Sequence, residues 1–272
     1  MLNNKFGINI ARCSLYVSLA ILLTLIGLVI GFIVIEGLGK VNIDIFANSG
    51  ALITSTLMVV FISLIIAIPL GVFSAVYLQI YAKKGKIVNI IRFSIDSLTG
   101  IPSIIYGLFA LSFFVFYIGL NRSILAGSLG MSIVILPLLI KNTEEAIKTI
   151  SISQIEASLA LGATKYDTIK KVIIPYCLDG ILNGVILSIG RIVGETAAIM
   201  FVIGSLNGMP LSFNDPGATL ATQLYMILQE PTYSQNGIND AYALALILLV
   251  IVIFLNVVVK LIGKYFRKKR GY

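Results

Sequence analysis

Not one histidine occurs in the 272 residues, and tryptophan is absent as well. Without histidine the chain has neither the commonest metal ligand nor the commonest general base. Charge is scarce too. Asp, Glu, Lys and Arg make up 12% of the sequence, against roughly 25% in soluble domains. The two cysteines, Cys13 and Cys177, form no metal-spaced set. No G-x-x-x-x-G-K-[ST] segment occurs, so the chain has no loop of its own to cradle the phosphates of ATP. No nucleophile–base constellation is visible either. The chain is therefore read as non-catalytic and as holding no cofactor, and energy for any work must come from a partner or an ion gradient.

What is present is apolar. Hydrophobic residues account for 58% of the chain and mean hydropathy is +1.02. Six runs approach the length of about 20 residues that a bilayer crossing needs: 15–36, 52–79, 101–119, 124–140, 180–204 and 241–263. The expected fold class is an all-α polytopic membrane protein with six transmembrane helices. Lys5 and Arg12 precede the first run, but that run exceeds a signal-peptide core and no cleavage site follows, so a retained anchor is expected. The third and fourth runs are joined by a tight turn at 119–123 and should form a hairpin. Pro69, Pro102 and Pro137 fall within or at the start of runs, where membrane helices tolerate proline. The second run is long enough to tilt or to project an interfacial segment.

Basic residues alternate between loops. Lys5 and Arg12 precede the first run; Lys83, Lys84, Lys86 and Arg92 fill the second loop; Lys141, Lys148, Lys165, Lys170 and Lys171 fill the fourth; Lys260, Lys264, Arg267, Lys268, Lys269 and Arg270 close the chain. The intervening loops hold only Lys40 and Arg122, and the fifth carries Asp215, Glu230 and Asp240. The positive-inside rule then places both termini and the fourth loop in the cytoplasm. Topology accounts for the net charge of +8, so nucleic-acid binding is disfavoured, and the cysteines are expected as free thiols.

The fourth loop contains EASLALGATKYDTIKKVIIP, residues 156–175. Ser153 and Glu156 have capping-box spacing. Ile152, Ile155 and Leu159 fall on one helical face. Gly162 can take the left-handed conformation that ends helices. Thr164 and Asp167 repeat the cap, and Pro175 biases its predecessor away from helix and opens the next span. The expected structure is helix, glycine turn, helix. A solvated connector is the plain alternative, but a connector needs neither caps nor an apolar face, so docking to a partner is favoured.

This segment resembles the EAA loop of ABC-importer permeases. Glu156, Ala157 and Ser158 stand for E-A-A, Gly162 follows at the family's distance, and Val172, Ile174 and Pro175 stand for the closing I-x-L-P. Ser158, Val172 and Ile174 are mild departures. The resemblance implies that Ser153, Glu156, Ala157, Leu159 and Gly162 couple the chain to a cytoplasmic ATPase. Three further segments are similar to phosphate-specific permeases, of the PstA type more than the PstC type: TGIPSIIYGLF (99–109), NTEEAIKTI (142–150) and GRIVGETA (190–197). The similarity runs from about residue 50 to 263, and the first span and the loop after it are less diagnostic. The resemblance implies a MetI-like bundle, alternating access, a PstC-like second permease, two PstB-like ATPases that hold ATP and magnesium, and a PstS-like binding protein docking on the outer face. It divides the chain into an anchor and first loop (1–50), a permease domain (51–263, coupling loop 141–175) and a basic tail (264–272).

Arg191 and Glu195 fall near the middle of the fifth run. Arginine at a helix centre costs about 2.5–3.5 kcal/mol on insertion scales, and a spacing of four puts both charges on one face of a continuous helix. A structural salt bridge is one reading. The other is an anion path, since a guanidinium matches phosphate oxygens; Glu195 would then hold Arg191 until substrate arrives. Gly180, Gly184, Ser188, Gly190 and Gly194 give this span a small-residue surface suited to helix contact, between the two permease subunits. Asp96 is expected at the start of the third span, and Thr99, Ser103 and Ser112 to bond their own helix. DPG at 215–217 marks a turn and 218–228 a short helix. Permeases for molybdate or sulfate remain alternatives. A gradient-driven transporter would call for inverted repeats or several intramembrane carboxylates, and neither is seen.

Overall fold

The computed structural model describes residues 2–83, 85–205, 208–230 and 236–270. Lys84, parts of the fifth loop (206–207 and 231–235) and the last two residues of the tail lie outside them. Every regular element of the described residues is a helix, and none is a strand. Five helices are long and apolar enough to cross a bilayer: Arg12–Leu38, Gly50–Tyr81, Ile124–Lys148, Lys165–Gly194 and Ile238–Phe266. A sixth is reached if the pair Lys86–Thr99 and Ser103–Tyr117, bent by 101°, is counted as one broken span.

The helices are α1 (Leu2–Leu38), α2 (Ile43–Asn48), α3 (Gly50–Val76, closed by a π-helical turn Tyr77–Tyr81) and α4 (Lys86–Thr99). They continue as α5 (Ser103–Ala110, with π turn Leu111–Tyr117), α6 (Ile124–Lys148), α7 (Ile152–Ala160) and α8 (Lys165–Thr168). Then follow α9 (Ile174–Gly194), α10 (Ala197–Ile203), α11 (Leu220–Gln229) and α12 (Ile238–Arg270). A π turn, Ile169–Ile173, joins α8 to α9 without a break.

The core lies where α3, α6, α9 and α10 meet, around Val59, Ala67, Met131, Ile135, Leu139, Ile189, Ile192 and Ile199. Lipid tails are as apolar as these side chains, so close packing rather than transfer from water holds the helices together. Small residues permit it: a Cβ on Gly71 would lie 2.9 Å from Leu139 Cβ, and one on Gly130 would lie 2.8 Å from Ala110 Cβ. Hydroxyls add polar bonds. Ser63 Oγ donates to the Ser128 carbonyl at 3.0 Å, and Ser132 Oγ reaches back to the Ser63 carbonyl at 3.3 Å. The first helix is peripheral and packs on α12 through Phe32 and Tyr242, whose rings meet edge to face at 5.8 Å. α3 and α6 continue through Pro69 and Pro137, while Pro102 sits at the bend before α5.

Three sequence expectations are corrected. The second loop holds a 14-residue helix, α4, which its lysines and single arginine had hidden as a connector. Asp96 therefore lies near the end of α4 rather than at the start of a span, and pairs with Lys141 of α6 at 2.8 Å. The fifth span starts earlier than residue 180 and stops at Gly194. Pro175 directly follows the π turn Ile169–Ile173, and the helix passes through it into α9. The short helix expected over 218–228 is present as α11, held by a capping box at Thr219 and Thr222.

Candidate functional site

Two features gather the residues picked out from sequence. One is the hairpin between α6 and α9. Its first arm, α7, begins at Ser151, whose extended backbone (φ −67°, ψ 138°) makes it the N-cap. The helix starts earlier than the expected box requires, so Ser153 is already inside it. Its hydroxyl meets Ser151 Oγ at 3.1 Å and closes no capping box with Glu156. α7 ends in a paired bond pattern: Gly162 N–H donates to the Leu159 carbonyl at 3.0 Å and Ala163 N–H to the Ser158 carbonyl at 3.3 Å. This is a Schellman closure, which needs a left-handed residue. Gly162 supplies it with φ +85°, and a Cβ there would touch nothing, so backbone conformation alone demands glycine. Thr164 then caps α8, accepting from Asp167 N–H at 3.1 Å as expected.

The hairpin shows an inner and an outer face. Ile155 packs on the cluster formed by Ile147, Ile150, Ile169 and Ile173. Ser158 Oγ lies 3.0 Å from Thr168 Oγ1, so the serine at the second alanine position of the motif has a partner across the hairpin. Ser153, Glu156, Ala157 and Leu159 are exposed, as is Ile152. Of the expected apolar face only Ile155 turns inward, because the helix hangs below the bundle and has just one side against it. Sequence reasoning missed Leu161, 90% exposed at the tip; no periodicity marks a leucine standing alone before a glycine.

The second feature is the end of α9. Glu195 does not continue the helix. Its backbone is extended (φ −75°, ψ 127°), and its Oε1 accepts from Ala198 N–H at 3.3 Å, serving the first turn of α10. The expected shared face with Arg191 is therefore lost, and no ion pair joins the two residues. Arg191 stands in the last turn of α9, where a cation complements the helix C-terminus. It is half-buried and within electrostatic reach of Tyr106. Among the described residues it takes no ion-pair partner.

The small residues of α9 divide. Gly180 and Gly184 are pressed on α6, where a Cβ would lie 2.3 Å from Ala146 Cβ and 3.0 Å from Asn142 Cβ. Ser188 is buried and donates to the Gly184 carbonyl. Gly190 and Gly194 have open space before them and share an exposed stripe with Asn183 and Leu187. Arg191 flanks that stripe. A third, unanticipated group joins α3, α4 and α6: Glu144 accepts from Gln79 Nε2 at 3.2 Å and pairs with Arg92 at 3.4 Å, and Arg92 also donates to the Leu78 carbonyl.

Comparison with known proteins agrees with this geometry. The family described as binding-protein-dependent transport system inner membrane component matches residues 67–272. The chain is 30% identical to the probable ABC transporter permease protein YqgI of Bacillus subtilis over 98% of its own length and 99% of that protein. It is 32% identical to the phosphate transport system permease protein PstA 1 of Mycobacterium tuberculosis, covering 76% of this chain and 67% of the other. With PstA of Haemophilus influenzae the identity is 29% over 94% and 92%. Among solved structures, a bacterial transporter involved in import of the acidic polysaccharide alginate superposes with a TM-score of 0.61 at 20% identity, covering 92% of this chain and 95% of that one. The MetNI methionine transporter follows at 0.56 and 17%, over 84% and 97%. At these identities the structures speak for the fold.

Proposed function

The chain belongs to the family of binding-protein-dependent transport system inner membrane components, and from that membership we propose that it is a permease subunit that imports phosphate. It is a transport component rather than an enzyme, and it works in a multi-pass membrane assembly with another permease, ATPases and a binding protein. The observation that carries phosphate as cargo is the identity of about 30% to phosphate transport permeases over most of the chain. An arginine without an ion-pair partner beside an open glycine stripe is consistent with it, because a guanidinium can offer two parallel N–H donors to an oxyanion.

In this reading the stripe of Asn183, Leu187, Gly190 and Gly194 faces a PstC-like partner across the path. Arg191 lies on the path, and Glu195 shapes its end by stopping α9 rather than by holding the guanidinium. The tail and the hairpin lie in the cytoplasm. The hairpin docks through Ile152, Glu156, Ala157, Leu159 and Leu161 on a PstB-like ATPase, which holds ATP and magnesium. Closure of two ATPases draws the hairpins together and opens the bundle outward to a PstS-like protein. Transport of labelled phosphate, molybdate and sulfate by the reconstituted complex with its binding protein tests the cargo. Phosphate is expected to be taken up and the other two left behind; equal or preferred uptake of molybdate or sulfate would refute it.

A further inference from the structure

A groove of about 380 Å³ opens between the last turns of α3 and the α8–α9 junction, lined by Phe73, Tyr77, Tyr81, Tyr166, Lys170 and Ile174 among others. Its setting is fixed by α3. Phe61, Ile65, Pro69, Phe73, Tyr77 and Tyr81 recur at every fourth position, and all are exposed. A stripe of this composition along a spanning helix belongs against acyl chains. Its last two members change from phenylalanine and aliphatics to tyrosine, the ring that collects where hydrocarbon meets headgroups. The groove thus starts in hydrocarbon and ends at the headgroup level.

Two cations stand at that end. Lys165 Nζ lies 5.9 Å from the Tyr81 ring centre, and Lys170 Nζ lies 5.8 Å from that of Tyr166. Both lysines are exposed, and among the described residues no carboxylate lines the groove. The nearest acid along the chain, Asp167, is engaged by Thr164 and by Lys171 at 3.4 Å. An apolar slot with an uncompensated basic rim between membrane helices matches one ligand chemistry: acyl chain below, anionic headgroup above. We propose that this groove is a binding site for an anionic phospholipid, with a chain along Phe73, Tyr77 and Ile174 and the phosphate between Lys165 and Lys170. Tyr166 and both lysines belong to the second arm of the hairpin, so a bound lipid tethers that arm to the bilayer surface. The assignment is independent of which substrate the transporter carries.

Native mass spectrometry of the detergent-purified transporter complex tests it, with phosphatidylglycerol and phosphatidylcholine of matched chains as probes. The wild-type complex should retain phosphatidylglycerol about tenfold better, since each lysine near a headgroup contributes on the order of 1 kcal/mol. The Lys165→Gln/Lys170→Gln variant should fall below about twofold, while Lys171→Gln, which is not on the groove, should keep the preference. An unchanged preference in the double variant overturns the site. So does an equal loss in Lys171→Gln, which would indicate only diffuse surface charge. Displacement of phosphatidylglycerol by millimolar inorganic phosphate would make the rim a free-anion site and overturn the lipid assignment.

Discussion

Gly162 is held at φ +85° by two hydrogen bonds and by nothing around it. An alanine there must enter the left-handed region at a cost of about 1–2 kcal/mol. Gly162→Ala should therefore loosen the end of α7 and speed amide exchange across 152–160 by about tenfold, leaving the spanning helices unchanged. Hydrogen-exchange mass spectrometry reads this directly, and equal protection in both proteins would mean the turn does not depend on glycine. Arg191 and Glu195 separate in the same way. Arg191→Gln removes the charge and should cut phosphate uptake at least about tenfold, with Arg191→Lys in between; full uptake by the Gln variant with normal assembly would take Arg191 off the path. Glu195→Gln keeps an oxygen for Ala198 N–H and should transport almost normally. Glu195→Ala loses that cap and should cost about 1 kcal/mol in thermal stability.

Contacts between elements carry two further expectations. Gly180→Val would drive its side chain into Ala146, where the Cβ alone already approaches to 2.3 Å. Overpacking of this kind costs about 1–3 kcal/mol, and a fall in melting temperature, with α6 and α9 sprung apart, should follow; an unchanged melting point would mean that the two helices yield. Arg92→Gln leaves the buried Glu144 with Gln79 alone. Because the guanidinium is partly exposed, the loss should be about 1 kcal/mol, read as easier proteolysis of the segment that ties α4 to α6. These elements also show what was legible beforehand. The number of crossings, the Gly162 turn, the Thr164 cap and α11 all followed from patterns within a few residues, namely apolar run length, a lone glycine and cap spacing. The helix α4 escaped because its charges dilute its hydropathy while its apolar residues lie on one side. The stop at Gly194 escaped because the apolar run continues past it to Gly204, so Gly194 was read as one more small contact residue rather than as a helix end. It is imposed from outside, as α10 turns to pack on α5, where a Cβ on Gly107 would meet the Ala198 backbone at 2.7 Å. Ser153 was misplaced by two residues because a serine at 151 offered the earlier cap.

At the scale of the molecule, the stripe of α9 bearing Asn183, Leu187, Gly190 and Gly194 is a seam that the bundle's own helices do not cover. Cysteines placed at 190 and 194 should react readily with a maleimide in the isolated subunit and be shielded once the second permease assembles. Reaction at equal rates in both states would put the partner elsewhere. Below that seam the second arm of the hairpin and the fifth span form one continuous helix, from Lys165 to Gly194, 30 residues long. At a rise of about 1.5 Å per residue this is a rod of about 45 Å. The arm that leaves the membrane and the arginine near the far end are therefore two points on one lever. A tilt of roughly 10° about either end displaces the other by about 8 Å, more than the diameter of an oxyanion. A signal received at the hairpin would need no relay through the core to reach Arg191, because moving one moves the other.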